Sequence, residues 1–176
     1  CGSWPTVFAG DFLSPDYSAR HDPFLLPDME SAVSRLQTAR ELQEKITIYG
    51  DYDIDGLTAT TVLLDAFESF GFNHVDAFIP NRFVEGYGLT IDAVERIAQS
   101  GANLIVTVDC GSLSHKEIIR ANELGMDVIV TDHHNVADTP PPAIATINPK
   151  RKDHQYPFID LAGVGVAFKL VQALQT

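Results

Sequence analysis

Residues 46–61, with the sequence ITIYGDYDIDGLTATT, decide the fold of this chain. Residues 46–49 are β-branched or aromatic and end at Gly50, which is typical of a buried strand followed by a turn. A loop follows in which alternate positions hold three aspartates, Asp51, Asp53 and Asp55. Several carboxylates at the end of a buried strand repel one another unless cations neutralise them. The stretch therefore predicts a strand, an acidic loop that binds a hard divalent metal, and a helix.

The rest of the chain repeats this alternation of strand and helix. Apolar runs predict four more strands, at 75–79, 104–108, 128–131 and 143–147. Helical patterns predict five helices, at 28–44, 57–70, 90–99, 114–124 and 162–174. The strands are continuous apolar runs, as expected when both faces of a sheet are covered. We therefore predict an α/β fold with three layers, a mainly parallel five-stranded sheet with helices on both faces. The proline-rich residues 1–27 are predicted to form an extended strap over this domain, which occupies residues 28–176.

Composition limits the class of protein. The 176 residues are 45% hydrophobic, enough for one well-filled core. A net charge of -12 argues against a surface that grips phosphate backbones indiscriminately, so any contact with nucleic acid is local or metal-mediated. The two cysteines, Cys1 and Cys110, form no pairing framework, and no apolar stretch has the quality of a membrane span. These features predict a protein of the cytoplasm that does not enter membranes.

Polar side chains follow the first, third and fourth predicted strands directly. Parallel strands gather their ligands beyond their carboxyl ends, so these distant segments are expected to meet at one rim of the sheet. The candidate metal ligands are three carboxylates and one imidazole: Asp53, Asp55, Asp109 and His133. This mixture suits Mn²⁺, with Mg²⁺ or Zn²⁺ less favoured. Two ions sharing a carboxylate would hold a phosphodiester and activate a water molecule.

Other interpretations of the same residues stay open. Any one of the loop aspartates alone is better explained as a cap or turn residue, and only the coincidence of several strand ends indicates a metal site. Asp51 is assigned a supporting or capping role behind the ligands. Asn81 and Arg82 follow the second strand on the same rim, where Arg82 either binds a phosphate oxygen or forms a surface salt bridge. Residues 150–152, KRK, either contact a nucleic-acid backbone or form a solvated charge run.

Five motifs occur in order along the chain: GDYDIDG at 50–56, PNRFVEGYGL at 80–89, VDCG at 108–111, TDHH at 131–134 and LAGVGVAFKL at 161–170. Together they resemble the DHH phosphoesterase superfamily and, within it, the RecJ-type single-stranded-DNA exonucleases. The resemblance runs from about residue 12 to the last residue. It implies a nuclease with two Mn²⁺ ions, Mg²⁺ being the alternative, that degrades single-stranded DNA from its 5′ end in recombination and repair. Single-stranded-DNA-binding and recombination proteins are its candidate partners.

The resemblance also assigns roles to individual residues. It makes Asp53, Asp55, Asp109 and His133 metal ligands. His134 faces the scissile phosphate as a proton donor or charge stabiliser, and Asp132 supports the pair. Tyr49 stands where some relatives have a histidine, so any ligand contribution from that position is lost.

The resemblance further implies a longer protein. In the family, the DHH domain continues with a further aspartate ligand, and a separate substrate-binding domain, DHHA1, follows it. Neither lies within these residues. We therefore expect a fragment with an incomplete metal site and little or no turnover of its own.

Two other functions compete with the exonuclease. One is a related DHH phosphodiesterase that acts on short oligonucleotides or cyclic dinucleotides, and the PNRF and LAGVGVAFKL motifs favour the exonuclease over it. The other is a non-catalytic DHH scaffold that binds replication proteins. The intact acidic and DHH motifs argue against the scaffold, because a scaffold has no need for clustered, mutually repulsive carboxylates.

Overall fold

The computed structural model describes residues 20–81, 83, 86 and 88–176. Strands and helices alternate along these residues. The strands are β1 (Ile46–Gly50), β2 (Val75–Phe78), β3 (Leu104–Val108), β4 (Asp127–Thr131) and β5 (Ala145–Ile147). The helices are α1 (Met29–Glu41), α2 (Ile54–Ser69), α3 (Ile91–Gln99), α4 (His115–Glu123) and α5 (Gly163–Leu174), and a 3₁₀ turn, Pro23–Leu25, precedes them.

The five strands form one sheet in the order β2-β1-β3-β4-β5, and every neighbouring pair is parallel. Four strand ends lie at the same level, because Gly50 pairs with Val108, Val108 with Thr131, and Thr131 with Ile147. The next residue of each strand therefore stands at the same rim of the sheet. These four residues are Asp51, Asp109, Asp132 and Asn148.

Apolar side chains on the two faces of the sheet form two separate cores. Successive residues of a strand point to opposite faces, so Ile48 and Val106 join one core while Tyr49 and Ile105 join the other. Helices α1, α2 and α5 cover the first face, and α3 and α4 cover the second. The predicted three-layer α/β fold with helices on both faces is confirmed.

The apolar pattern predicted that the helix after the acidic loop begins at residue 57, but it begins at Ile54. Asp53 is its N-cap, since its Oδ1 accepts hydrogen bonds from the N–H groups of Asp55 (2.9 Å) and Gly56 (3.0 Å). Asp55 therefore lies in the first turn of α2 and not in the loop. Gly56 is required there, because a Cβ atom would lie 2.5 Å from the carbonyl oxygen of Asp51.

The first helix is shorter than predicted and begins differently. The predicted helix ran to residue 44, but it ends at Glu41, and Leu42 is 67% exposed. Asp28 directly precedes the helix, but its side chain makes no capping hydrogen bond. Its Oδ2 accepts hydrogen bonds from Thr146 N (3.0 Å) and Arg151 Nη1 (2.5 Å), so Asp28 links the start of α1 to the region of β5.

Residues 1–19 of the predicted strap lie outside the described part of the chain. Residues 20–27 contain the 3₁₀ turn and bury Pro23 and Leu26. Lys169 of α5 donates a hydrogen bond to the carbonyl of His21 (2.7 Å), which holds this segment on the helix. Within the described residues, no helix has the length and apolarity needed to cross a membrane.

Candidate metal centre

Asp109 occupies the centre of the rim, directly after β3. Its side chain is buried at 1% exposure and its backbone has a left-handed φ of 62°. Non-glycine residues rarely adopt this conformation, and such strain is found mostly at functional sites. Two hydrogen bonds fix the turn, one from Asp109 N to Thr131 O (3.0 Å) and one from Thr107 Oγ1 to Cys110 O (2.8 Å). The fold thus holds this carboxylate in one place.

Two groups of potential ligand atoms meet at Asp109. In one, ligand atoms of Asp109, His133 and His134 lie within 4.8 Å of one another, and in the other the same is true of Asp51, Asp53 and Asp109. His133 Nε2 is 3.0 Å from Asp109 Oδ1 and 3.5 Å from Asp55 Oδ2. Asp109 Oδ1 is buried and has no partner with hydrogen-bond geometry among the described residues.

The charges of this cluster are not balanced by the protein. Burial, together with the smaller effect of the neighbouring charges of Asp55 and Asp53, raises the pKa of the Asp109 carboxyl to about 8. Burial also raises the pKa of Asp51. Carboxylates this crowded are stable in the ionised form only beside a cation. The oxygen and imidazole donors, and the buried oxygen that lacks a hydrogen bond, therefore fit a divalent metal ion.

Asp55 connects the cluster to the last helix. Its Oδ2 accepts a hydrogen bond from Gly163 N (2.7 Å) and its Oδ1 accepts one from Val164 N (2.7 Å). A carboxylate oxygen has two lone pairs, so these bonds leave capacity for a metal ion. Asp55 lies beside His133, where a ligand is expected, and also joins α2 to α5.

Asp132 holds the histidine pair in place. Its Oδ1 accepts hydrogen bonds from His133 N (2.7 Å) and His134 N (3.1 Å) and contacts His134 Nδ1 (2.8 Å), while Oδ2 accepts one from Ser112 N (2.9 Å). Burial alone raises the pKa of Asp132, but the bonds from Ser112 and His134 outweigh it and the net shift is downward. Asp132 therefore stays ionised and orients the ring of His134, whose side chain is 45% exposed.

The family model described as the DHH family, N-terminal domain, matches residues 45–176. The chain belongs to the DHH family. The single-stranded-DNA-specific exonuclease RecJ of Bacillus subtilis (strain 168) is 47% identical over 163 residues, which are 93% of this chain and 21% of the relative. The RecJ of Escherichia coli (strain K12) is 46% identical over 151 residues, 86% of this chain and 26% of the relative. The predicted resemblance is confirmed.

A solved structure gives the same result. The crystal structure of exonuclease RecJ bound to manganese superposes with a TM-score of 0.76 and 37% identity, over 85% of this chain and 38% of that one. The chain spans about a fifth to a quarter of the length of the two curated relatives it matches.

The DHH domain contains a buried amide that the sequence patterns did not reveal. Asn148 is fully buried, and its Nδ2 donates hydrogen bonds to Ser112 Oγ (2.8 Å) and to the carbonyl of His134 (3.0 Å). It therefore fixes the backbone of the second DHH histidine. Because Asn148 directly follows β5, the strand-end rule that found Asp109 and Asp132 applies to it as well.

The first residue of the predicted substrate-binding pair, Asn81, follows the second strand. Asn81 lies just beyond the carboxyl end of β2, on the expected rim, and its Oδ1 accepts a hydrogen bond from Phe83 N (3.0 Å). Arg82 lies outside the described residues. Tyr49 belongs to the core beneath α3, and its hydroxyl donates a hydrogen bond to the carbonyl of Gly88 (2.8 Å). Tyr49 therefore holds Gly88, near the end of the PNRFVEGYGL motif at 80–89.

Proposed function

We propose that this DHH domain is the metal-binding part of a phosphodiester hydrolase that degrades single-stranded DNA from its 5′ end. The observation that carries the proposal is the position of Asp109, whose buried, unbonded Oδ1 lies where two groups of ligand atoms meet. The RecJ relatives and the manganese-bound RecJ structure support the substrate class and the metal.

Four residues would hold the metal, with Mn²⁺ as the first choice and Mg²⁺ as the alternative: Asp53, Asp55, Asp109 and His133. We assign two ions to the site. The two groups of potential ligand atoms share Asp109 and also include Asp51 and His134, to which we give a supporting and a catalytic role. Asp51 supports the site from a buried position behind the loop. A bound divalent ion polarises phosphate oxygens and lowers the pKa of a coordinated water molecule.

His134 and Asp132 would handle the proton of the reaction. Cleavage of a phosphodiester bond frees an alcohol oxygen that must gain a proton or be stabilised as an anion. Asp132 contacts Nδ1 of His134, which leaves Nε2 as the nitrogen that acts on the leaving oxygen or on the phosphate. Asn148 holds this histidine in place by donating a hydrogen bond to the backbone carbonyl of His134.

Substrate contacts are assigned to Asn81, just beyond the carboxyl end of β2, and to the next residue in the sequence, Arg82. With a net charge of -12, the chain relies on such local contacts and on the metal for DNA binding. We further propose that the active protein uses an additional aspartate ligand and a DHHA1 substrate domain, that it works in the cytoplasm in recombination and repair, and that single-stranded-DNA-binding proteins are its partners.

The test is a Mn²⁺-dependent nuclease assay on 5′-labelled single-stranded DNA, with the protein that carries this chain and its Asp109→Ala variant. The proposal predicts immediate release of labelled mononucleotide by the wild type, a loss of at least about a hundredfold in the variant, and no release in EDTA. A ladder of shortened labelled strands would show digestion from the other end. If single-stranded DNA is not degraded but dinucleotides are cleaved, the proposal is wrong and the protein is a phosphodiesterase that acts on short substrates.

A further inference from the structure

The last helix of the domain begins at the metal centre but contributes no ligand side chain to it. Helix α5 begins at Gly163, and its N-cap residue, Ala162, has no side chain that can cap it. The first N–H groups of a helix need acceptors. Asp55 supplies them from another element, since its two carboxylate oxygens accept the N–H groups of Gly163 and Val164.

The same glycine also touches the central carboxylate. A Cβ atom at Gly163 would lie 2.7 Å from Oδ1, 2.8 Å from Cγ and 2.9 Å from Cβ of Asp109. Gly163 is not among the residues with positive φ, so the close approach, and not the backbone conformation, requires glycine at this position. Asp109 cannot move away easily, because it is buried and its turn is fixed by hydrogen bonds.

Gly163 thus contacts two carboxylates that repel each other. Its N–H group draws in Asp55 on one side, and its bare Cα allows Asp109 to approach on the other. Gly163 lies between these two predicted ligands and therefore determines how closely their carboxylates approach each other. Metal ions bind tightly only when their ligands are held at the correct spacing, and residues that orient ligands affect affinity strongly.

We propose that Gly163 is a positioning residue of the metal centre, which sets the spacing of the Asp55 and Asp109 carboxylates through its N–H group and its missing side chain. The proposal rests on the proposed metal function of this site. It assigns to the LAGVGVAFKL segment a role in metal binding that does not depend on any ligand atom of its own.

The chain offers a matched control in the same helix. A Cβ atom at Gly165 would meet only Leu161, at 3.2 Å from Cδ2, and no atom of the metal centre. Gly163→Ala and Gly165→Ala therefore make the same chemical change two residues apart. Both replace glycine by a residue that favours helix, so a general effect on α5 appears in both variants.

The test measures Mn²⁺ affinity by following the electron paramagnetic resonance signal of free Mn²⁺ during titration of the protein that carries this chain. We expect Gly163→Ala to weaken binding by at least about tenfold and Gly165→Ala to leave it close to wild type. Equal affinity of all three proteins overturns the inference while leaving the proposed function intact. If wild type and Gly165→Ala take up no Mn²⁺, the proposed function fails and the inference fails with it.

A second measurement separates positioning from a general loss of stability. In EDTA, the destabilisation caused by Gly163→Ala should shrink when Asp109→Ala is also present, because the new methyl group then has no carboxylate to displace. If Gly163→Ala alone does not fold, recovery of folding in the double variant with Asp109→Ala supports the inference. An equal loss in both backgrounds overturns it.

Discussion

Replacement of Asp109 by asparagine is expected to stabilise the metal-free chain while abolishing its metal binding. Asp109 is buried, and its Oδ1 has no hydrogen bond in the described structure. Its neighbours include the carboxylates of Asp55 and Asp53, whose charges add to the effect of burial on its pKa. Asparagine has nearly the same shape, carries no charge, and tolerates the left-handed φ of 62° at this position.

The size of the gain follows from the pKa of the carboxyl. This pKa is about 8 in the folded chain against an ordinary value of 3.8, so the folded chain holds the proton more tightly than the unfolded chain. The wild-type side chain is therefore tolerated below pH 3.8 and costs stability progressively as the pH rises towards 8. With about 1.4 kcal/mol per pH unit, the cost at pH 7 is at most about 4 kcal/mol, and we expect a gain of about 2 to 4 kcal/mol from Asp109→Asn.

Urea unfolding in EDTA at pH 4.5 and pH 7.5, monitored by circular dichroism, measures this effect. The wild type and Asp109→Asn should be similar in stability at the acidic pH and differ most at the higher pH. Asp132→Asn is the matched control, and its stability should change in the opposite direction. The carboxylate of Asp132 accepts hydrogen bonds from Ser112 and His134, so this variant should lose about 2 kcal/mol in the free energy of unfolding. A loss of stability in Asp109→Asn at pH 7.5 would refute the electrostatic argument.

Two further substitutions test contacts outside the cluster. Tyr49→Phe should cost about 1 kcal/mol and speed amide hydrogen exchange at Leu89, with unchanged Mn²⁺ affinity, because the hydrogen bond to Gly88 O is lost. Unchanged exchange at Leu89 would show that this bond does not hold the loop. Arg151→Lys should cost about 1 to 2 kcal/mol in urea unfolding, since a lysine cannot bond Asp28 and Asp153 together as the guanidinium does. An unchanged free energy of unfolding would show that Arg151 acts as a solvated charge and that its bonds to the two aspartates do not stabilise the fold.

The rim of the sheet was predictable because it follows from local patterns. Continuous apolar runs identify buried parallel strands, and the residue after each strand must stand at the carboxyl edge. This reasoning located Asp109 and the histidine pair without any knowledge of the strand register. Asn148 obeys the same rule, but an amide before a proline is also typical of a loop and gives no signal of its own.

The links between distant segments were not predictable. The start of α2 was placed too late, because its apolar periodicity becomes visible only at Leu57 and the capping by Asp53 depends on hydrogen bonds. The bond from Gly163 to Asp55 joins residues 108 positions apart, so no local pattern indicates it. Likewise, the basic run at 150–152 suggested a solvated or DNA-contacting cluster, whereas Arg151 is largely buried and paired with Asp28.

The most direct measurement of the central claim is a titration of the ¹⁵N-labelled chain with Mn²⁺, observed by the paramagnetic loss of amide signals in NMR spectra. If three strand ends bind the ion together, the first signals to fade belong to 51–56, 109–112, 132–134 and 163–164. The amides of Lys45, Asn103 and Asp127, at the opposite edge of the sheet, should persist, and Asp109→Ala should abolish the effect. Simultaneous fading at both edges, or an unchanged pattern in Asp109→Ala, would contradict the account.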